Sequence, residues 1–203
     1  MAFTYFFRDR ETLEMIREIA LPSLRTRMHI NIWDAGCAHG PEPFSIAILL
    51  RENMGQFLFR NVHIYATDID ESNQFGETIR QGVYPEEQVQ RIPQPIFERY
   101  FQPSGNPGHF RVVEEIRQTV SFERHDLLTL KPIREGFGMV VCKNVLLHFK
   151  EAERNGVVKM FHHALDRGGI FVTEQTQKLP AEVGELFELI VSNTQIFRKV
   201  DDK

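Results

Sequence analysis

A stretch of alternating apolar residues that meets two glycines and runs on into a second apolar segment leaves a chain few folds to adopt. Residues 30–45 read Ile-Asn-Ile-Trp-Asp-Ala-Gly-Cys-Ala-His-Gly-Pro-Glu-Pro-Phe-Ser. The opening suits a β-strand, Gly36 and Gly40 break it, and Pro43-Phe-Ser-Ile-Ala-Ile-Leu-Leu50 suits a buried helix. Strand, glycine turn and helix together form a ligand-binding unit. Glycines let backbone N–H groups approach a ligand closely, and the helix start leaves unpaired donors facing the same crevice.

The spacing narrows the ligand. Neither Gly-x-Gly-x-x-Gly nor Gly-x4-Gly-Lys-Ser/Thr is present, so neither a dinucleotide fingerprint nor a phosphate loop is written here. Glu42 instead places a carboxylate at the loop exit, which disfavours an anion and tolerates a positive centre. Many tight strand-to-helix turns carry glycines for packing alone, so the loop needs a second signal. His63-Ile-Tyr-Ala-Thr-Asp-Ile-Asp70 supplies it as a second strand ending in two acids. An acid at the carboxyl end of the second strand of a doubly wound sheet can accept both hydroxyls of a ribose. Asp68 fits that place and Asp70 suits the cap of the next helix, although both could be caps.

Six separate motifs, in order, carry a family resemblance. They are Thr4-Tyr-Phe-Phe-Arg8, Trp33-Asp-Ala-Gly-Cys-Ala-His-Gly-Pro-Glu-Pro-Phe-Ser45, Ala66-Thr-Asp-Ile-Asp70, Gly82-Val-Tyr84, Tyr100-Phe101 and Cys142-Lys-Asn-Val-Leu-Leu-His-Phe149. The chain from Thr4 to about Arg198 resembles the CheR-type chemotaxis receptor methyltransferases. The resemblance implies an α/β fold of the class I S-adenosylmethionine (SAM) methyltransferase type. That is a Rossmann-like doubly wound sheet with an antiparallel last strand and a small inserted antiparallel β-subdomain. It also implies S-adenosyl-L-methionine as cofactor, S-adenosyl-L-homocysteine (SAH) as product, and methyl esterification of glutamate side chains on chemoreceptor-like proteins.

Carried over position by position, the resemblance implies cofactor contacts from Thr4, Arg8, Gly36, Glu42, Asp68, Asp126, Leu127, Lys143 and Asn144. Arg8 and His148 would face the acceptor, Arg8 by orienting a carboxylate through paired N–H bonds. Asp126 would meet the exocyclic amine of adenine with Leu127 on the ring face, unless it only caps a turn. Relatives carry Asn at Asp126, Arg at Lys143, Tyr at His148, a small hydroxyl residue at His39, Glu at Pro41 and Asn at Ala2. Lys in place of Arg loses a bidentate fork, and His in place of Tyr introduces a ring that titrates near neutrality. These departures bear on catalytic competence or acceptor identity, not on the fold.

The rest of the chain is read more coarsely. Phe3, Tyr5, Phe6 and Phe7 must pack on the body, ahead of a helix from Arg10 to Ala20. Strands are expected at Val62–Thr67, Met139–Cys142, Ile170–Thr173 and Gln195–Val200. Helices are expected at Ser72–Arg80, at Glu151–Asp166 ending on Gly168-Gly169, and at Glu182–Ile190. Pro85–Tyr100 reads as short helices and loops, and His109–Val113 with Thr119–Phe122 as an antiparallel hairpin. That hairpin is either a peptide-binding β-subdomain or a plain lid. The chain is expected to be one domain, 1–203, with 102–122 inserted.

At 203 residues, 42% hydrophobic and 26% charged, the chain has the mass for a full core, and its net charge of −4 speaks against nucleic acid. No apolar run approaches the roughly 20 residues that cross a bilayer, and no signal peptide opens the chain, so a cytoplasmic monomer is expected. Cys37 and Cys142 suggest neither a disulfide framework nor a metal site, and His162-His163 reads as a solvated pair. Three readings remain: a protein-glutamate methyltransferase, a methyltransferase with another acceptor, and a non-catalytic module that binds SAM or SAH. The last gains from a start that falls where relatives still carry a helical N-terminal domain.

Overall fold

A computed structural model describes residues 4–174, 179–191 and 195–201. Ala2 and Phe3, on which part of the N-terminal reading rests, lie outside the described residues. The strands that matter for the site are β1 (Ile30–Ala35) and β2 (Val62–Asp68), with β3 (Val83–Pro85), β4 (Phe101–Pro103) and β5 (His109–Val112) in a separate sheet. They are followed by β6 (Val120–Arg124), β7 (Phe137–Cys142), β8 (Leu165–Thr173), β9 (Phe187–Leu189) and β10 (Ile196–Lys199). The main sheet has seven strands in the order β6-β2-β1-β7-β8-β10-β9. The first five of these run parallel, and β10 is antiparallel to both β8 and β9. Chain order therefore reverses between β1 and β7. The crevice outside the carboxyl ends of those two strands is where a doubly wound sheet takes its ligand.

The alternation read in the sequence is the alternation of the two sheet faces. Ile30, Ile32, Met139, Val141, Ile170 and Val172 join one core, while Trp33, Ala35, Val140, Cys142 and Phe171 join the other. The helix α1 (Arg10–Met15), continued by a π-turn Ile16–Ala20, packs on the first face together with α2 (Pro41–Phe59). The helix α3 (Phe75–Gln81) follows β2, and α4 (Glu151–Ala164) packs on the second face through Val157, Val158 and Phe161. Phe6 fulfils the expectation for the aromatic start, being fully buried with its ring edge-on to Tyr84 and Phe101 at 4.9 and 5.1 Å. Among the described residues no helix is long and apolar enough to cross a membrane.

Several expectations are corrected. The run 109–113 does not pair with 119–122. β5 is the centre of a three-stranded antiparallel sheet between β3 and β4, whereas β6 lies parallel beside β2 with Val120 opposite Ile64. A helical turn at Glu114–Arg117 carries the chain from one sheet to the other, so the small sheet is drawn from residues 83–112. The helix expected at 182–190 stops after Ala181–Gly184, because Phe187–Leu189 pairs with β10 and buries Phe187 against Phe171. α3 starts at Phe75 rather than Ser72, since the Asp70 carboxylate takes the N–H groups of Gln74, Phe75 and Gly76. α4 ends at Ala164, and Gly168-Gly169 lie inside β8 rather than at a helix stop. His162 is buried with Nε2 against the Val200 carbonyl, so only His163 is the solvated member of that pair.

Candidate functional site

Four chain segments leave the carboxyl ends of β1, β2, β6 and β7, and a fifth, the N-terminal strap, crosses over them. Between them lies a cavity of about 620 Å³, within the range that encloses a nucleoside-sized ligand. Every position carried over from the resemblance lines it: Thr4, Arg8, Gly36, Glu42, Asp68, Asp126, Leu127, Lys143, Asn144 and His148. His39 and Pro41 do not line it. The His39 ring leans edge-on against Phe75 at 4.4 Å while its carbonyl accepts the Tyr84 hydroxyl at 2.7 Å, so the exchange at His39 acts behind the loop rather than in it.

The loop is shaped by groups the chain itself supplies. Gly36, Ala38 and Gly40 all have positive φ, and a Cβ on Gly36 would sit 2.1 Å from Val145. Only glycine meets both demands at that position. Ala38, with φ 47, is an L-residue held in the left-handed region. The Gly36 and Cys37 N–H groups donate to the Thr67 carbonyl at 2.7 and 3.0 Å, and the Ala38 N–H donates to Asp68 Oδ2 at 2.9 Å. Asp68 thus fixes the loop, and its Oδ1 takes the Asp70 N–H at 3.3 Å. Each carboxylate oxygen has more than one lone-pair site, so both oxygens retain acceptor capacity toward the cavity.

The charges differ from a simple reading of the sequence. Glu42 is not a bare carboxylate, because the Lys143 ammonium lies 3.0 Å from it and 3.2 Å from Asp9. Burial disfavours the charged form of Lys143, but Glu42 and Asp9 outweigh it and hold its pKa above the ordinary lysine value. Asp9 in turn caps α1 by accepting the Thr12 N–H and hydroxyl. Burial pushes its pKa up, and Lys143 and Thr12 bring it below the usual carboxylate value. The lysine therefore ties the N-terminal strap, the start of α2 and the end of β7 into one unit. A second anchor runs from the Phe7 N–H to Ser45 Oγ at 3.0 Å.

Beside Lys143, Asn144 has φ 58 and gives its N–H to Glu174 Oε2 at 2.9 Å, which also takes the Thr173 hydroxyl. Asp126 Oδ1 accepts the Leu128 N–H at 2.9 Å, so the capping role holds for that oxygen while the side chain also faces the cavity. His148 is exposed at the mouth, at the end of a 3-10 turn Leu146–His148. Sequence reasoning missed Asp9, Asp34 and Glu174. Asp34 had a visible signal, a lone acid inside an apolar strand. The partners of Asp9 and Glu174 come from distant elements and left no local trace.

The residues from 2 to 196 match the family described as CheR methyltransferase, SAM binding domain. Among curated proteins, chemotaxis protein methyltransferase 2 of Pseudomonas aeruginosa is 34% identical over 171 residues, covering 83% of this chain and 60% of that protein. A chemotaxis protein methyltransferase of Borreliella burgdorferi is 32% identical over 173 residues, covering 81% and 60%. The chain thus spans about 60% of the length of these two relatives. Among solved structures, the N-methyltransferase NodS from Bradyrhizobium japonicum, in complex with S-adenosyl-L-homocysteine, aligns with a TM-score of 0.51 at 13% identity, covering 96% of this chain and 91% of that one. At that identity the likeness concerns the fold alone.

Proposed function

Since the chain belongs to the CheR methyltransferase family, we propose that it binds S-adenosylmethionine and transfers methyl groups to glutamate side chains of chemoreceptor-like proteins, as a monomer in the cytoplasm. The observation that carries this reading is convergence. Residues separated by more than a hundred positions, from Thr4 to His148, line one cavity at the point where strand order reverses. The lining also fits the cofactor chemically, with carboxylates for ribose and amine groups and apolar Leu127, Leu128 and Ile69 for a ring.

In this reading Asp68 accepts the ribose hydroxyls and Asp126 the adenine amine, with Leu127 against the ring. Glu42 and the Lys143-Asn144 corner hold the amino-acid end, Gly36 allows close backbone approach, and Thr4 lies over the ligand. When bound, the cofactor supplies an electrophilic methyl group on a sulfonium. The acceptor glutamate, with a reference pKa of about 4.3, is ionised at neutral pH, so no residue has to remove a proton. Asp68, Glu42 and the Lys143-Asn144 corner would hold the cofactor so that its methyl group is offered to a carboxylate oxygen and the S–CH3 electron pair stays on sulfur. What the chain must do is orient and dry the reacting groups. Arg8 can align the incoming carboxylate through paired N–H groups, His148 stands at the same mouth, and Ile69, Leu128 and Phe149 exclude water.

The test is transfer of radiolabelled methyl groups from S-adenosylmethionine to receptor cytoplasmic fragments. Label released as methanol by mild base, and lost when the receptor glutamates are changed to alanine, is the expected result. Cofactor binding with base-stable label, or with no label, would replace this reading by another acceptor or by a non-catalytic module.

A further inference from the structure

Asp34, near the end of β1, is fully buried, and among the described residues neither of its carboxylate oxygens has a hydrogen-bond partner. A buried polar group without a partner is rare enough to need an explanation, and an isolated buried charge is more costly still. Burial pushes the Asp34 carboxyl well above the usual carboxylate range; Glu42 adds to this, Lys143 opposes it, and Asp68 adds again. These charges come from α2, from the end of β7 and from the end of β2, and all three residues line the cavity. The Lys143 ammonium is already shared between Glu42 and Asp9 on the strap. The thiols of Cys37 and Cys142 also feel Asp34: burial pushes both up, Asp34 adds to this for Cys37, and Glu174 and then Asp34 add to it for Cys142. Around Asp34 the carboxylates of Glu42 and Asp68 are thus set against the Lys143 ammonium, which Glu42 and Asp9 already hold.

We propose that Asp34 is a specificity-determining residue that lets this site distinguish a sulfonium ligand from its neutral thioether product, holding a proton while no cation lies in the cavity and releasing it when one does. This rests on the cofactor reading given above. The balance is simple: the carboxyl becomes a carboxylate, and its proton goes to the solvent when the ligand enters. Asp34 acts on the ligand through the field it shares with Glu42, Asp68 and Lys143, not by contact, since it does not line the cavity. S-adenosylmethionine and S-adenosylhomocysteine share the nucleoside and the amino-acid group and differ by the sulfonium charge. Their affinity ratio therefore isolates the effect. By linkage, a ligand that expels one proton binds up to about tenfold more tightly per unit rise in pH, until the carboxyl is ionised without it.

The experiment is titration calorimetry of the full chain with each ligand between pH 6 and 8, in buffers of different ionisation enthalpy, which counts protons released on binding. The expected result is greater proton release with S-adenosylmethionine than with S-adenosylhomocysteine, and an affinity ratio that rises with pH. In Asp34→Asn, which keeps the shape and cannot ionise, the difference in proton release should vanish and the ratio become flat, with the melting temperature not lowered. Equal proton counts for the two ligands in the unaltered chain overturn the proposal without needing the variant. A difference that survives in Asp34→Asn assigns it to another group and also overturns it. If both ligands bind, the cofactor reading stands whatever the proton count; if neither binds, that reading fails and this inference with it.

Discussion

Replacing Asp68 with alanine separates a binding role from a structural one, because the structure sets a different magnitude for each. The structural loss is the acceptor for the Ala38 N–H at 2.9 Å and for the longer Asp70 N–H at 3.3 Å. Ala38 lines the cavity, so water can replace much of that bond. The expected cost is about 1 kcal/mol of stability, or a melting temperature lower by about 2–4 °C for a chain of this size. If the same carboxylate also accepts two ribose hydroxyls, each charge-assisted bond contributes about 1.5–3 kcal/mol to binding. Their joint loss is then at least about 3 kcal/mol, a weakening of more than about 100-fold. Calorimetry with S-adenosylhomocysteine, run well below the melting temperature of both proteins, measures this directly. An affinity that stays within about threefold, roughly 0.7 kcal/mol, refutes the placement of the ribose at Asp68.

Other outcomes follow from single contacts. Glu174→Ala removes the buried acceptor of the Asn144 N–H and the Thr173 hydroxyl, and should lower stability by about 3 kcal/mol in thermal denaturation and weaken cofactor binding as the Lys143-Asn144 corner relaxes. Thr67→Val leaves the indole N–H of Trp33, bonded at 2.8 Å in a fully buried site, without an acceptor. A loss of about 1–3 kcal/mol should appear in urea unfolding followed by that tryptophan's fluorescence. For Asp70, burial raises the carboxyl pKa, but the N–H groups of Phe75, Gln74 and Gly76 outweigh it and bring the folded value below the ordinary one. A depressed folded value means stability that is present above the unfolded pKa and lost as pH falls through the folded one. Asp70→Asn should therefore cost about 1 kcal/mol at pH 7 and progressively less below about pH 4, in denaturation curves at the two pH values.

Much of this architecture was legible because its signals are local. The period-2 run at Ile30–Ala35, the glycines at 36 and 40, and the acids at 68 and 70 are each read within a few residues, and they place the cavity. What was not legible depends on partners far along the chain. Val120–Arg124 and His109–Val112 look alike as short apolar runs, and their assignment to different sheets is decided by Ile64 opposite Val120 and by Tyr84 opposite Phe110. The segment from Glu182 to Ile190 has helical composition, yet the Phe187 side chain finds its burial against Phe171 and Phe197, and strand pairing wins. Glu42 looked like a free carboxylate at the loop exit because nothing near it in sequence announces Lys143.

The most direct test of the whole reading is titration calorimetry of this chain with S-adenosylhomocysteine, which needs no knowledge of the acceptor. If the cavity lined by Asp68, Glu42 and Lys143 is the cofactor site, the titration should show one site of micromolar strength or tighter, with a matching rise in melting temperature. A folded chain that gives neither heat nor thermal shift would contradict it.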